Sequence, residues 1–362
     1  RLPGWRYRGT DPDGFMTAAE LTGYLDAYAR SFGAPVQSWT TVTDVSPLVD
    51  GYRVTTTQDS WLAHNVVMAT GARPHVPHHA AGLDPSIRQI HTNRYRNPDQ
   101  LPAGGVLVIG ASASGAQIAA ELRRAGRDVV LAVGEHTRLP RWYRGMDIMW
   151  WLTQIGALSR TIDQVRNPRV ARSEPSIQLR GTASTVDLNL ATLNDAGVVI
   201  TGRLTGSDGH QVRFGDDLPV TLAAAEARLE RTLAGIDRYI HSAGLEAEVL
   251  PKVPVPPLNV SSQLDAMDLR AAGISTVVWA TGFRYRYPWL RVPVLDCHGD
   301  VRQYRGITPA PGLYVIGKRF LHRRDSSFID GARHDARAIC GHIETSDRSR
   351  SVRPSLSARA GA

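Results

Sequence analysis

The chain has 362 residues, of which 42% are hydrophobic and 21% are charged, and its formal net charge is +8. This length is enough for two domains with buried cores, and the composition is typical of a globular protein. The sequence contains no apolar run of about 18 residues and no signal peptide, so we expect a cytoplasmic protein without a membrane span. Its two cysteines, Cys297 and Cys340, exclude a disulfide framework and a Cys-x-x-Cys redox pair.

The positive charge comes mostly from arginine residues that are scattered along the chain. A nucleic-acid-binding protein usually concentrates such charge in one arm or patch. Phosphate-bearing cofactors account for the arginines as well, so we expect no nucleic acid partner. The sequence leaves the oligomeric state open.

The first predicted element is a helix near the start of the chain. Thr17 is a candidate N-cap, Glu20 completes a capping box, and Gly33 ends the helix. Strand-like runs follow at residues 39–48 and 51–57, with a tight turn between them.

The stretch VLVIGASASGAQIAAEL, residues 106–122, combines an apolar strand, a turn of small residues and a helix. A second apolar strand follows at 128–133, and this rhythm predicts a parallel sheet with right-handed crossovers. Residues 197–214 are predicted to form a hairpin, and residues 221–243 an amphipathic helix that Gly244 ends. The apolar face of that helix comprises Leu222, Leu229, Leu233, Ile236 and Ile240.

Two short apolar runs, at residues 66–68 and 275–279, both lead into the tripeptide Ala-Thr-Gly, at 69–71 and 280–282. Small residues after a buried strand let the backbone lie close to a flat cofactor. The repeated pattern, on both sides of the stretch at 106–122, suggests two related nucleotide-binding domains, one inserted in the other. The polar tail at 345–362 is predicted to be disordered.

The turn Gly-Ala-Ser-Ala-Ser-Gly, residues 110–115, is close to the dinucleotide fingerprint Gly-x-Gly-x-x-Gly. Gly110 makes the turn, Gly115 packs helix on strand, and Ser112 replaces the second glycine with a small hydroxyl side chain. The helix N-terminus supplies N–H donors to a pyrophosphate. We predict cofactor binding here; the alternative is a purely structural turn.

The end of the second strand indicates which nicotinamide cofactor is used. Glu135 suits the ribose 2′-hydroxyl of NAD, whereas Arg138 and Arg141 suit the 2′-phosphate of NADPH. We favour NADPH; the alternative for the two arginines is a solvated basic loop.

Five motifs carry a resemblance to a known family: MATGARPHVP, HTNRYRNP, VLVIGASASGAQIAAEL, VVWATGF and PGLYVIG. In order and spacing, over about residues 1–343, the chain resembles the class B flavoprotein monooxygenases (flavin-containing monooxygenases) and the wider flavoprotein group with two dinucleotide-binding domains. His91 and Tyr95 match the histidine and aromatic residue of that family's fingerprint. Pro85 and Ile87 stand where the family has phenylalanine and glycine.

The resemblance implies an α/β fold with two Rossmann-like domains, the NADPH domain being inserted in an FAD domain. We expect the FAD domain at 1–100 and 284–344, the NADPH domain at 101–283 and a tail at 345–362. No FAD-binding βαβ unit precedes the motifs above, so an N-terminally incomplete FAD domain is expected.

The resemblance also implies the activity: NADPH reduces FAD, and one atom of O2 is inserted into a small organic substrate at nitrogen, sulfur or a ketone. Two alternatives stay open, a flavin oxidoreductase without oxygenation and an inactive remnant that binds only NADP(H). No catalytic side chain and no metal ligand is predicted.

The expected cofactor-binding residues fall into three groups by position. Those for NADPH are Gly110, Ser112, Ser114, Gly115, Arg138, Arg141, Thr281 and Gly282. Those for FAD are Val45, Ala69, Thr70, Gly71 and Gly317, although Val45 is equally well explained as strand core. The linker between the domains carries His91 and Tyr95.

Overall fold

The computed structural model describes residues 2–11, 14–179, 187–260 and 264–351. Its helices are α1 (Ala18–Ser31), α2 (Ala113–Arg124), α3 (Ile148–Gln154), α4 (Pro168–Ser173), α5 (Leu190–Asp195), α6 (Leu218–Ala243) and α7 (Ala332–Ser351). Short 3-10 helices lie at His78–Gly82, Pro98–Gln100 and Ile162–Gln164. Within the described ranges, no helix is long and apolar enough to cross a membrane.

The strands are, in chain order, β1 (Val42–Leu48), β2 (Gly51–Thr56), β3 (Ser60–Ala63), β4 (Val66–Met68), β5 (Arg73–Pro74), β6 (Arg88–His91), β7 (Gly105–Ile109), β8 (Val129–Ala132), β9 (Trp142–Tyr143), β10 (Met146–Asp147), β11 (Val199–Thr201), β12 (Leu204–Asp208), β13 (Gln211–Phe214), β14 (Ala266–Asp268), β15 (Ile274–Trp279), β16 (Phe283–Arg284) and β17 (Leu313–Val315).

The chain folds into two compact units. Unit 1 comprises Arg1–Ala72, Leu158–Arg172 and Tyr285–Ala362, and unit 2 comprises Arg73–Ala157 and Ser173–Arg284. Unit 2 therefore begins before residue 101, where the sequence predicts the border. The reason is that β6 pairs with β15 and is part of the main sheet of unit 2.

Unit 2 is built on a five-stranded sheet in the order β11-β8-β7-β15-β6, with every neighbouring pair parallel. The central strand β7 is buried along its whole length because both faces of the sheet are covered. Val106 and Val108 point into the core on one face, whereas Leu107 and Ile109 point into the core on the other. The predicted parallel sheet is present.

Helices and a small sheet cover the two faces of this sheet. Ala116 and Leu122 of α2 and Leu218 of α6 pack in the first core. Val212 and Phe214 of β13 pack in the second core, where β12, β13 and β14 form an antiparallel sheet. All five apolar residues predicted for the α6 face are buried, and Gly244 ends the helix with φ +67°.

The hairpin predicted over residues 197–214 is correct only in part. β12 and β13 do pair antiparallel, but β11 is the edge strand of the parallel sheet, beside β8. Ile200 of β11 and Val198 just before it are almost fully buried, because they complete the first core. An apolar run this short does not show by itself which sheet it joins.

Unit 1 contains an antiparallel sheet of β1, β2 and β3 and a parallel pair of β4 and β17. Its core includes Val45, Tyr52, Met68, Leu313 and Val315. α1 has the predicted capping box at its start, between Thr17 and Glu20, and none of its residues is buried.

The predicted disorder of residues 345–362 is wrong for 345–351, because α7 extends through Ser351. The helix is held here by Asp347, which accepts a hydrogen bond of 3.1 Å from Asn65 Nδ2. A polar composition therefore did not prevent helix formation. Residues 352–362 lie outside the described residues.

Candidate dinucleotide-binding sites

The turn after β7 has no space for side chains at two glycines. Gly110 has φ +106°, and a Cβ on it would lie 2.5 Å from the carbonyl oxygen of Ala280. A Cβ on Gly115 would overlap the carbonyl oxygen of Gly110. Both glycines therefore serve the purposes predicted for them, a sharp turn and a close approach of helix to strand.

The start of α2 presents polar groups at the end of β7. Ser112 is the N-cap residue, in an extended conformation, and its side chain makes no capping hydrogen bond. Ser114, in the first turn, is exposed. The N-terminus of a 12-residue helix offers backbone N–H donors and the positive end of the dipole, so an anionic pyrophosphate fits here.

A glutamine that the sequence did not single out lies against the same turn. The Gln178 amide Nε2 donates to the carbonyl of Ala111 over 2.5 Å, and its backbone N–H donates to Thr137 over 2.8 Å. Its side chain is fully buried, and Oε1 has no hydrogen-bond partner among the described residues. A buried acceptor without a donor is costly, and a nucleotide hydroxyl is one group that can supply the donor.

The loop after β15 lies beside this turn. Gly282 has φ +78° and open space around its Cα, and its carbonyl accepts hydrogen bonds from His91 Nε2 at 3.0 Å and from the His75 N–H at 2.9 Å. The Thr281 hydroxyl donates to the carbonyl of His75. These bonds fix the loop at the carboxyl end of the sheet, where ligands of such folds bind.

His91 is buried and donates a hydrogen bond to this loop. Because a carbonyl only accepts, Nε2 carries the proton of this bond, and Nδ1 lies 3.2 Å from Asn93 Oδ1 and 3.3 Å from the Asn93 backbone nitrogen. The ring also meets Phe283 edge-on, with 5.0 Å between centroids. Tyr95, predicted beside it on the linker, instead packs in the first core of unit 2, where burial raises the pKa of its hydroxyl.

The two arginines predicted to bind the 2′-phosphate are engaged in ion pairs within unit 2. Arg138 is 4% exposed; its Nε lies 3.0 Å from Glu226 Oε1, and it also donates to the carbonyl of Pro256 over 2.7 Å. Arg141 lies 2.6 Å from Asp147 Oδ2, and its side chain is 12% exposed. Neither guanidinium stands open at the end of β8.

Arg203 is the more accessible arginine in this part of the sheet. It follows β11, and its guanidinium carbon would lie 3.8 Å from a Cβ placed on Gly134, two residues after β8 ends. Its side chain is 54% exposed and pairs with Asp217, 3.3 Å from Nε to Oδ2. Glu135, next to Gly134, is exposed. The sequence pattern does not indicate Arg203 while residues 197–214 are assigned to a hairpin. The position of β11 as a third parallel strand, beside β8, is the signal that identifies it.

In unit 1, two turns open at the ends of neighbouring parallel strands. The Ile316 N–H donates to Met68 over 3.0 Å, which sets the end of β17 beside the end of β4. Gly71 and Gly317 have φ +63° and +77°, and a Cβ on either glycine would meet no atom within 4 Å. Ala69 and Thr70 are exposed. The geometry leaves room for a flat ligand at this edge.

Val45 does not lie at that edge. It is 1% exposed in the core of unit 1, and its N–H donates to the carbonyl of Trp289 over 2.8 Å. Its position agrees with the alternative given above, a residue of the strand core.

Comparisons with known proteins agree with this architecture. The family model "Pyridine nucleotide-disulphide oxidoreductase" matches residues 9–149. An uncharacterized CzcO-like oxidoreductase of Geobacillus kaustophilus is 30% identical over 94% of this chain and 82% of its own length. The CzcO oxidoreductase of Bacillus subtilis, also uncharacterized, is 26% identical over 93% of this chain and 81% of its own length.

Among solved structures, a flavin-containing monooxygenase from Stenotrophomonas maltophilia matches with a TM-score of 0.58 at 17% identity, over 95% of this chain and 82% of its own. At 17% identity this similarity shows a shared fold and does not show a shared activity. It confirms the predicted α/β class with two Rossmann-like dinucleotide-binding domains. With 30% identity along nearly its whole length to the Geobacillus protein, the chain belongs to the CzcO-like oxidoreductases.

Proposed function

We propose that this oxidoreductase binds NADPH and FAD and inserts one atom of O2 into a small organic substrate, at nitrogen, sulfur or a ketone. The observation that carries the proposal is the turn after β7, in which Gly110 and Gly115 admit no side chain and the start of α2 is left available. This is the arrangement that a dinucleotide pyrophosphate requires.

The nicotinamide cofactor is assigned to unit 2. Backbone N–H groups near Ser112 and Ser114 would hold the pyrophosphate, and Gln178 Oε1 would accept from a nucleotide hydroxyl. Arg203, rather than Arg138 or Arg141, is the guanidinium accessible to a 2′-phosphate. Thr281 and Gly282 would lie beside the nicotinamide half.

The flavin is assigned to unit 1. Ala69, Thr70, Gly71 and Gly317 line the open edge formed by β4 and β17, where small residues permit close approach of a planar ring. When bound, FAD supplies the hydride acceptance and the oxygen activation. The side chains of this chain bind and orient the reactants and exclude water from them.

One observation favours a second candidate, reduction of an electron acceptor without oxygenation. The matched family model describes pyridine nucleotide-disulphide oxidoreductases. The only cysteines, Cys297 and Cys340, are both free and exposed, so a disulfide-relay version of that chemistry lacks its Cys pair.

The proposal is tested on purified protein that is incubated with FAD and desalted. We expect a retained flavin absorbance band and NADPH oxidation in air. A panel of a tertiary amine, a thioether and a cyclic ketone should contain at least one substrate that yields oxygenated product in proportion to the NADPH consumed. NADPH oxidation that yields only hydrogen peroxide would favour the second candidate, and protein without retained flavin would refute both.

A further inference from the structure

Unit 1 contains a buried polar pair that the proposed function does not use. Asp335, in the first turn of α7, is 1% exposed, and both of its carboxylate oxygens are buried without a hydrogen bond of standard geometry to a described residue. The Nδ1 atom of His322 is also buried and has no hydrogen bond of standard geometry to a described residue. It lies 4.0 Å from Asp335 Oδ1. The three atoms without a hydrogen-bond partner among the described residues, both carboxylate oxygens of Asp335 and Nδ1 of His322, therefore belong to two neighbouring side chains.

Among the residues that the structure describes, Asp335 forms no ion pair with a lysine or an arginine. Arg323 is engaged with Asp325 in two hydrogen bonds, of 3.0 and 2.8 Å. Burial is the main influence on Asp335 and raises its pKa; Asp325 acts in the same direction, whereas the Ser326 hydroxyl, His322 and His334 oppose it. A buried carboxylate beside an imidazole is suited to holding or sharing a proton.

A structural explanation for Asp335 is its position near the start of α7, since acidic residues stabilise helix N-termini. That interaction does not require burial, because an exposed carboxylate in the first turn provides it. Burying a carboxylate that is poorly hydrogen-bonded costs free energy, and positions with such a cost are often functional.

His322 lies in the segment of unit 1 that follows β17. It comes five residues after Gly317, which ends β17 with positive φ. Its N–H donates to Ser326 Oγ over 3.2 Å, and its carbonyl accepts from the Ile162 N–H over 2.7 Å. The backbone is thereby fixed, while 21% of the side chain remains exposed.

We propose that His322 and Asp335 form a proton-transfer pair for the reaction at the edge of β4 and β17. His322 exchanges a proton with the bound reactant through Nε2. Asp335 is the positioning residue, whose carboxylate accepts a hydrogen bond from Nδ1–H of His322. The inference rests on the proposed function, since insertion of one oxygen atom from O2 consumes one proton for each NADPH and releases one water molecule.

The step moves one proton and no electrons. The Nε2–H bond of the imidazolium breaks, its electron pair stays on the ring nitrogen, and an O–H bond forms on the reactant oxygen. Solvent then returns a proton to Nε2. The Asp335 carboxylate stabilises the charged ring before the transfer and fixes its orientation throughout.

The first test is independent of turnover. In protein labelled with ¹⁵N-histidine, the His322 ring signals are assigned by their loss in His322→Gln. We expect the neutral ring of the native protein to carry its proton on Nδ1, facing Asp335, and Asp335→Asn to change this tautomer. Asp330→Asn, which removes a more exposed carboxylate paired with Arg333, should leave it unchanged. A tautomer identical in native protein and Asp335→Asn would overturn the pairing.

The second test is the pH profile of product formation. His322→Gln should lower kcat about 100-fold with little change in KM and remove one limb of the pH–rate profile. His298→Gln, at an exposed position of unit 1, is the matched control. An unchanged kcat and profile in His322→Gln would overturn the proton-transfer role. If Asp335→Asn folds poorly, the partly exposed His322 variant still decides the outcome.

The two proposals fail in distinguishable ways. Native protein that retains no flavin and oxidises no NADPH would refute the proposed function and, with it, the proton-transfer role. The ring-nitrogen spectra would still report whether Asp335 holds His322. An active enzyme with an unaffected His322→Gln variant refutes only the further inference.

Discussion

The accessibility of each arginine decides which one can recognise a phosphate. Arg138 is charged and correctly placed in sequence, but its donors are used by Glu226 and Pro256 in a buried site. Arg203 pairs with Asp217 at a position that is half exposed. A phosphate can therefore join Arg203 without breaking a buried ion pair.

We predict that Arg203→Ala weakens NADPH binding about 10-fold or more and leaves NADH binding almost unchanged. Loss of a charge-assisted hydrogen bond to the 2′-phosphate costs about 1.5–3 kcal/mol, and NADH has no such phosphate. The measurement is titration of both cofactors by calorimetry or fluorescence. An equal loss of affinity for NADPH and NADH would show that Arg203 does not bind the 2′-phosphate.

Arg138→Met is the comparison variant for that experiment. It leaves the Glu226 carboxylate without its partner, so the free energy of unfolding should fall by about 3–5 kcal/mol. The ratio of NADPH to NADH affinity should stay as it is. Chemical denaturation and the same titrations separate the two effects.

At the level of single residues, the sequence predicted the turn geometry at Gly110 and Gly115 but not the ion pairs of Arg138 and Arg141. Gly110 and Gly115 are specified by local backbone geometry, which a short motif encodes. The partner of Arg138 lies 88 residues away, in α6, so no local pattern shows that this guanidinium is engaged. Gln178 and the pair of His322 and Asp335 likewise become visible only when the fold brings them to their partners.

At the level of elements, the contact between α2 and β7 depends on Gly115. We predict that Gly115→Ala destabilises the protein by about 1–3 kcal/mol, because the added methyl group overlaps the carbonyl of Gly110 and pushes the helix away. Displacing the helix N-terminus should also weaken binding of both NADPH and NADH. Thermal unfolding and cofactor titration measure the two effects.

Gly235→Ala is the matched control in α6. A Cβ at Gly235 meets no atom closer than 3.8 Å, so the methyl group fits. Alanine favours a helix interior over glycine, and this variant should be more stable by about 0.4–1 kcal/mol with unchanged cofactor affinity. A Gly115→Ala protein that behaved in the same way would contradict the packing described here.

Elements with a local signature were predicted well. The capping box of α1 and the apolar face of α6 both arise from side chains within a few turns of one another. The assignment of β11 to the parallel sheet and the extension of α7 depend on partners distant in sequence, β8 and Asn65. Sequence spacing carries no information on such partners, which is why these two predictions needed correction.

At the scale of the whole molecule, each unit has its own hydrophobic core and its own open strand ends. The core of unit 1 is formed by residues of Arg1–Ala72 and Tyr285–Ala362, and both cores of the parallel sheet lie in unit 2. Each proposed cofactor is assigned to one unit. A ligand that binds folded structure protects the amides it orders, so the two cofactors should protect different segments.

We predict that hydrogen–deuterium exchange separates the two sites. Adding NADP⁺ should slow exchange in the segments around residues 110–116 and 280–282, because the pyrophosphate engages the start of α2 and the loop after β15. Adding FAD should slow exchange around 69–71 and 316–318, beside β4 and β17. Peptides from α1, which buries no residue, serve as the reference. If FAD instead protected the unit 2 segments and NADP⁺ the unit 1 segments, each cofactor would have to be assigned to the other unit. The glycine-lined turns alone would then not explain which cofactor each unit binds.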